Sequence, residues 1–452
     1  MIRIVVIGGS DAGISAALRA KEICSDAQVS VLVADRFPNY SICGLPFYLS
    51  GEVTDWKDLA HRTVPDIEKE GIELLLEHRV QLLDVERKEV VAVDSSGKTV
   101  RLPYDRLVIG TGAASVRPPI QDLTLPGVFF LRWMDDAIEV HRWLTDRQPK
   151  SVLIVGGGYI GMEMADALAH RGLAATVVEH GSSVLRTVDP DLGELVRAEL
   201  AQSGVEVVTD VRVEDVRRDG EKVLVAGDRD FRKTVEMVIV ATGVAPETSL
   251  ARAAGISTGV KGAIRVDRRM QTNVPDVFAA GDCSETYHRV LGRNAYLPLG
   301  STAHKQGRVA GENAAGGGAE FGGTLGTQVV KIFGMVVART GLRTEEARAA
   351  GHDPVSADCE TWDHKRYYPG ATPMRIRMTG DRQTGRLLGA QVLGRHGAEV
   401  SKRVDVLAAA LFHEMKIADL VDLDLSYSPP LSSPWDPVQQ GAQIWLRESR
   451  RP

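Results

Sequence analysis

Three features of the sequence predict an α/β fold. A short apolar strand running into a glycine-rich turn and then a helix occurs twice. The two copies stand about a domain's length apart, and the C-terminal part changes to β-branched, strand-like runs. The expected architecture is two Rossmann-like dinucleotide-binding domains plus an α+β C-terminal dimerisation domain. A chain of 452 residues is too long for one ordinary core, which agrees with several domains.

The first unit opens with Ile4-Val5-Val6-Ile7, a buried strand, followed by the turn Gly8-Gly9-Ser10-Asp11-Ala12-Gly13 and a small-residue helix from Ile14. Glycines at Gly8 and Gly13 permit a tight turn and close backbone approach, so that a pyrophosphate meets a helix N-terminus. Ser10 stands where the middle glycine of GxGxxG belongs. The next strand, Val29 to Val33, ends at Asp35, placed to accept a ribose hydroxyl. In the second copy, Ser151 to Val155 feeds Gly156-Gly157-Gly158-Tyr159-Ile160-Gly161 with all three motif glycines present. Its following strand, Ala175 to Val178, ends at Glu179, an acid that favours the free 2′-hydroxyl of NADH over a 2′-phosphate. Arg186, a few residues on, keeps NADPH open as the alternative. Two such units imply two dinucleotides and hydride transfer between them.

Strands running into Thr111-Gly112 and into Gly243 read as crossings between domains, and Val277 to Cys283 reads as a third strand-to-turn containing Gly281 and Asp282. Beyond about residue 325, Thr327 to Phe333 and Met335 to Thr340 read as antiparallel strands, with a helix over Val404 to Leu411 packed on them. This last unit is expected to bury an apolar face in a homodimer.

Composition excludes several classes. A net charge of −6 offers nothing for nucleic acid or an anionic membrane, and no apolar run is long enough to cross a bilayer. Four scattered cysteines, without a CxxC pair, argue against a disulfide framework and for a cytoplasmic location.

Cys43-Gly44-Leu45-Pro46-Phe47-Tyr48, Val277 to Cys283, Leu297 to Arg308, Tyr367-Tyr368-Pro369-Gly370 and Tyr427 to Ser433 together resemble the pyridine nucleotide-disulfide oxidoreductase family. The likeness is to its single-cysteine branch, which contains coenzyme A-disulfide reductase, NADH-dependent persulfide reductase, and NADH oxidase and peroxidase. It implies FAD and NADH as cofactors and an order of FAD (1–113), NAD(P)H (114–245), FAD (246–325) and dimerisation (326–452) domains. Arg36, Val80, Leu299, Ser301 and Thr302 join the glycine-rich turns as cofactor contacts, and Asp282 would hold a ribityl hydroxyl. Cys43 would be the redox thiol, Tyr159 a gate over the flavin, and Tyr367 and Tyr427 would reach the partner's cysteine pocket, where a phenol can protonate a leaving thiolate.

A lone thiolate beside a flavin attacks a disulfide and keeps one half as a mixed disulfide, or is oxidised by peroxide to a sulfenic acid. A helix N-terminus and the flavin should lower the Cys43 pKa. The expected enzyme is therefore an FAD-dependent NAD(P)H oxidoreductase of a small disulfide or persulfide. The alternatives are an NADH oxidase or peroxidase, and a redox-sensing electron-transfer flavoprotein. Two departures bear on the substrate. Oxidases and peroxidases of the branch carry a histidine in the first glycine-rich loop, where this chain has Asp11, and no histidine occurs before His61. Members specific for coenzyme A carry basic residues on the first helix; Arg19 and Lys21 could serve, but Glu22 adds a repulsive carboxylate. The residues ahead of the cysteine, Asn39 and Tyr40, also differ from the usual Ser-Phe.

Overall fold

The computed structural model describes residues 1–450. The apolar strand Arg3–Ile7 is the middle of a five-stranded parallel sheet, because its side chains are buried on both faces. Gln28–Leu32 and Ile72–Leu75 lie on one side of it, and Arg106–Ile109 and Val277–Ala279 on the other. The outermost strand thus comes from far along the chain. A second parallel sheet repeats the plan, with Ser151–Val155 central between Ala174–Val178 and Met237–Val240. Each parallel sheet is accompanied by a three-stranded antiparallel sheet, Arg79–Pro103 in the first unit and Val213–Val235 in the second. The two crossings meet as a short ladder in which Val244–Pro246 pairs with Ala113–Ser115.

The C-terminal sheet is antiparallel, in the order Gln328–Ile332, Met335–Gly341, Leu387–Arg395, Pro373–Asp381, Pro354–Trp362. The helices Val400–Phe412 and Pro437–Glu448 cover it through Val404, Leu407, Leu411, Ala442 and Trp445.

Two contacts position the site. The helix Asp11–Ile23 lies directly against Gly300–Ala314: a Cβ on Gly307 would stand 2.2 Å from the Ala12 carbonyl oxygen, and one on Gly311 would stand 2.0 Å from that of Ala16. The short helix Leu45–Ser50, just after Cys43, leaves its own unit. Leu45, Tyr48 and Leu49 are buried in the core of the second unit with Met164 and Leu168 of the helix Tyr159–His170.

Gly311→Ala should force the two helices apart and cost about 1–3 kcal/mol, the usual range for overpacking. Urea unfolding monitored by circular dichroism, alongside flavin content by absorbance, checks this; an unchanged midpoint would mean the helices separate freely.

Candidate active site

Both glycine-rich turns are built the same way. Gly8 has φ +112° and Gly156 φ +111°. A Cβ at Gly13 or Gly161 would strike the carbonyl oxygen of Gly8 or Gly156, at 1.8 and 2.0 Å. Ser10 occupies extended backbone at φ −94°, which any residue adopts, so a serine here costs the turn nothing. Neither helix has a side-chain cap at Ser10 or Gly158, so the amides of Asp11, Ala12 and Gly13, and their counterparts from Tyr159 to Gly161, keep their donors for an anion. Open space surrounds Gly158. These turns fit the diphosphates of two dinucleotides.

Asp35 and Arg36 line a cavity of about 490 Å³ with Arg79, Gln81 and Asp135, at the end of the second strand where an adenosine would lie. Burial raises the Asp35 pKa. Val80 is partly buried against the first core. Glu179 is buried, and its two carboxylate oxygens accept from Gly157 N–H at 2.7 Å and Gly181 N–H at 2.8 Å. It braces the turn as well as offering lone pairs to a ribose. Arg186 packs against the same Gly181.

At the crossing, Thr111 Oγ1 donates to the Glu247 carbonyl at 2.6 Å, while Gly112 and Gly243 take positive φ. Gly281, at φ +82°, meets Ala12 closely. Asp282 is paired through Oδ2 with Arg132 Nη2 at 2.7 Å. Leu299 caps the helix that follows, Ser301 is exposed, and buried Thr302 shares a hydrogen bond with Thr324 at 3.2 Å. Ile160 packs on the second core.

Cys43 sits in a one-turn 3₁₀ segment, Ile42–Gly44, and is reachable by solvent. Its thiol pKa is nonetheless raised, first by burial, then by the negative charges of Glu163 and Asp11, with Arg132 opposing. Together these describe a thiol in a concave cleft, open to solvent but hemmed in by protein. The sequence argument for a lowered pKa fails for the protein's own groups: the helix beginning at Leu45 is a bare six residues, and burial together with the carboxyls of Glu163, Asp11 and Asp282 disfavours the thiolate. Any lowering falls to the bound flavin.

Tyr159, half-buried, feels Glu163 and Cys43, which with burial raise its pKa. Glu163, one helical turn beyond Tyr159 and so on the same face, is pushed up to about 7, first by burial and then by Asp166. Sequence reasoning missed Glu163; the signal was its i+4 spacing from Tyr159 in the motif helix.

A second group was also out of reach from sequence. Asp11 lies 3.4 Å from His304 Nε2, whose Nδ1 is 2.9 Å from Ser15 Oγ, and the His61 ring stands edge-on to His304 at 6.2 Å. The loop itself carries Asp11 and no histidine, as read from the sequence, but the fold brings His61 and His304 to it from 50 residues and more along the chain. Asp11 has a raised pKa because of burial, with His304 and His61 opposing.

Asn39 is buried at φ +57° and Tyr40 packs edge-on to Phe37, 5.6 Å between centroids, so both shape the wall ahead of Cys43. Arg19 is fully engaged, with Glu22 at 2.7 Å and Glu312 at 2.8 Å; Arg308 in turn reaches Glu22 at 3.3 Å. Tyr367 and Tyr427 are 74% and 45% exposed on the C-terminal unit, and the Tyr427 pKa is raised, first by desolvation and then by Tyr367. Leu431 and Trp435 nearby in sequence are exposed as well.

Two uncapped glycine-rich turns flanking one reachable thiol define a dinucleotide-dependent thiol oxidoreductase. The chain belongs to the pyridine nucleotide-disulphide oxidoreductase family, whose model matches residues 2–307, and the dimerisation domain of that family matches 327–437. Its cofactors are FAD and NAD(P)H. It is 33% identical to an NADH oxidase of Methanocaldococcus jannaschii over 99% of both chains. It is 34% identical to an NAD(P)H coenzyme A polysulfide/persulfide reductase of Pyrococcus horikoshii over 96% of both. The crystal structure of reduced Bacillus anthracis CoADR-RHD superimposes with a TM-score of 0.96 at 31% identity, covering 99% of this chain and 80% of that one. Among the described residues no helix is long and apolar enough to cross a membrane.

Glu163→Gln removes one of the charges that hold the Cys43 thiol up. The pH midpoint for alkylation of Cys43 by iodoacetamide should therefore move to lower pH; an unmoved midpoint would show that Glu163 does not act on the thiol.

Proposed function

We propose that the protein is an NADH-dependent reductase of small disulfides or persulfides, working as a homodimer through Cys43. The observation that carries this is a single solvent-reachable thiol, with Tyr159 and Glu163 against it, at the seam between the two dinucleotide units. The overall reaction is NAD(P)H + H⁺ + RSSR giving NAD(P)⁺ and two RSH, or RSH and H₂S from a persulfide. The Cys43 thiolate attacks one sulfur; the S–S bond breaks, half the substrate stays as a mixed disulfide, and the other half leaves as a thiolate that takes a proton. The bound flavin supplies the two electrons that later release the retained half. Glu163, poised near pH 7, is the nearest candidate for holding the proton on this side of the thiol. Tyr367 and Tyr427 of the second copy are assigned to the leaving group, which accounts for two exposed phenols on a surface with exposed Leu431 and Trp435.

The relatives' names point to coenzyme A as one thiol. Where the first helix meets the helix Gly300–Ala314, however, Arg19 and Arg308 are already paired with Glu22 and Glu312, so neither guanidinium stands free for phosphates. The assigned acceptor is therefore recognised by its thiol end.

The oxidase or peroxidase reading gains one specific observation, the two histidines beside Asp11, and the name of one relative. It stands second because a solvent-reachable Cys43 is what capture of half a disulfide requires.

Intact mass after exposure to equal pantethine, coenzyme A disulfide, cystine and glutathione disulfide should show one thiol adduct, absent in Cys43→Ser. Pantetheine should be captured at least as readily as coenzyme A; only oxygen additions would favour the oxidase reading. NADH should exceed NADPH in kcat/KM because Glu179 fills the ribose end of the turn. A preference for NADPH would assign Arg186 to the 2′-phosphate instead.

A further inference from the structure

We infer that Asp11, His61 and His304 form a binding site for a divalent transition-metal ion of the zinc class, beside the Cys43 cleft. Each side chain offers one donor atom, and the three donors lie within 4.8 Å of one another. Two imidazoles and a carboxylate are a donor set that zinc and its neighbours accept, with the remaining positions left to solvent. The separation of 3.4 Å between His304 Nε2 and Asp11 Oδ1 matches the edge of a tetrahedron with bonds of about 2.0–2.1 Å, which is about 3.3 Å.

That contact is not a hydrogen bond. Asp11 Oδ1 is shut away from solvent and has no hydrogen-bond partner. In the tautomer whose Nδ1–H donates to Ser15 Oγ, 2.9 Å away, the His304 Nε2 lone pair faces a carboxylate oxygen. Two acceptors so disposed are relieved by a cation between them, and a second hydrogen bond holding the far ring nitrogen is how metal-binding histidines are oriented.

Two of the donors are also fixed in advance, and the third is held at its backbone. Asp11 and His304 sit on helices pressed together at Gly307 and Gly311, so their spacing is set by backbone contact. His61 is held through its own backbone: its N–H donates to the Asn39 carbonyl at 2.9 Å, and Asn39 N–H donates to Gly9 at 2.7 Å. The exposed His61 ring needs only a side-chain rotation to close on the other two.

Zn²⁺ titrated calorimetrically into metal-stripped, FAD-loaded protein should bind at one equivalent per chain, in wild type and in Cys43→Ser alike. His61→Ala and His304→Gln should each weaken binding at least about tenfold, with flavin absorbance and melting temperature confirming the fold. His61 lies on a loop, so its variant carries the test if the helix variant loses flavin. Mg²⁺, which prefers oxygen donors, should not compete. Unchanged affinity in the histidine variants, or loss of the site in Cys43→Ser, overturns the assignment; the latter would make the metal a Cys43 adduct.

Discussion

The close approach of the helices Asp11–Ile23 and Gly300–Ala314 is the constraint on which the site depends. With no side chain at Gly307 and Gly311, the backbones touch at Ala12 and Ala16, and everything on the facing edges falls into register. Asp11 and Ser15 meet His304, Arg19 meets Glu312, and Glu22 meets Arg308. The phosphate-binding end of the first helix and the late segment from Leu297 to Arg308 thereby become one wall. A larger residue at either glycine would change the distance between every one of these pairs at once.

The opposite wall is made by burial. Leu45, Tyr48 and Leu49 are taken into the core that Met164 and Leu168 also fill, and this carries Cys43 to the Tyr159 helix. The chemistry that results is not that of a thiol activated by its neighbours. Carboxyls at Glu163 and Asp11 and a low-polarity setting all favour the neutral sulfur, while Arg132, committed to Asp282, opposes them weakly. The protein alone keeps the thiol at rest, and the charge distribution of the bound cofactors must decide when it becomes a nucleophile.

What could be read from the sequence was what is local. The glycines of both turns, the strands that feed them and the acid that ends each following strand are set by contacts within a few tens of residues, and each lies where its pattern implies. The antiparallel C-terminal unit was legible from its β-branched runs for the same reason. The pairings of His304 with Asp11 and Glu312 with Arg19 join positions separated by nearly 300 residues, and nothing in either neighbourhood marks them. The thiol's electrostatics were misjudged because burial, the first cause of the shift, and Glu163, which enters the cleft through packing of another unit, are not local to the cysteine segment. Asp282 shows the same limit: its backbone turn was evident, its guanidinium partner was not.

The placement of Leu45, Tyr48 and Leu49 has a consequence for how such proteins can be rebuilt. Cys43 is encoded in the first unit, but the segment that follows it is seated by the apolar interior of the second. The nucleotide-binding unit is therefore not a cassette. Grafting another enzyme's version of the unit around Ser151–Val155 and Tyr159–His170 to change coenzyme preference would also replace the socket into which the cysteine segment is anchored. A chimera that binds its new nucleotide well would still misplace its sulfur unless the socket residues travelled unchanged.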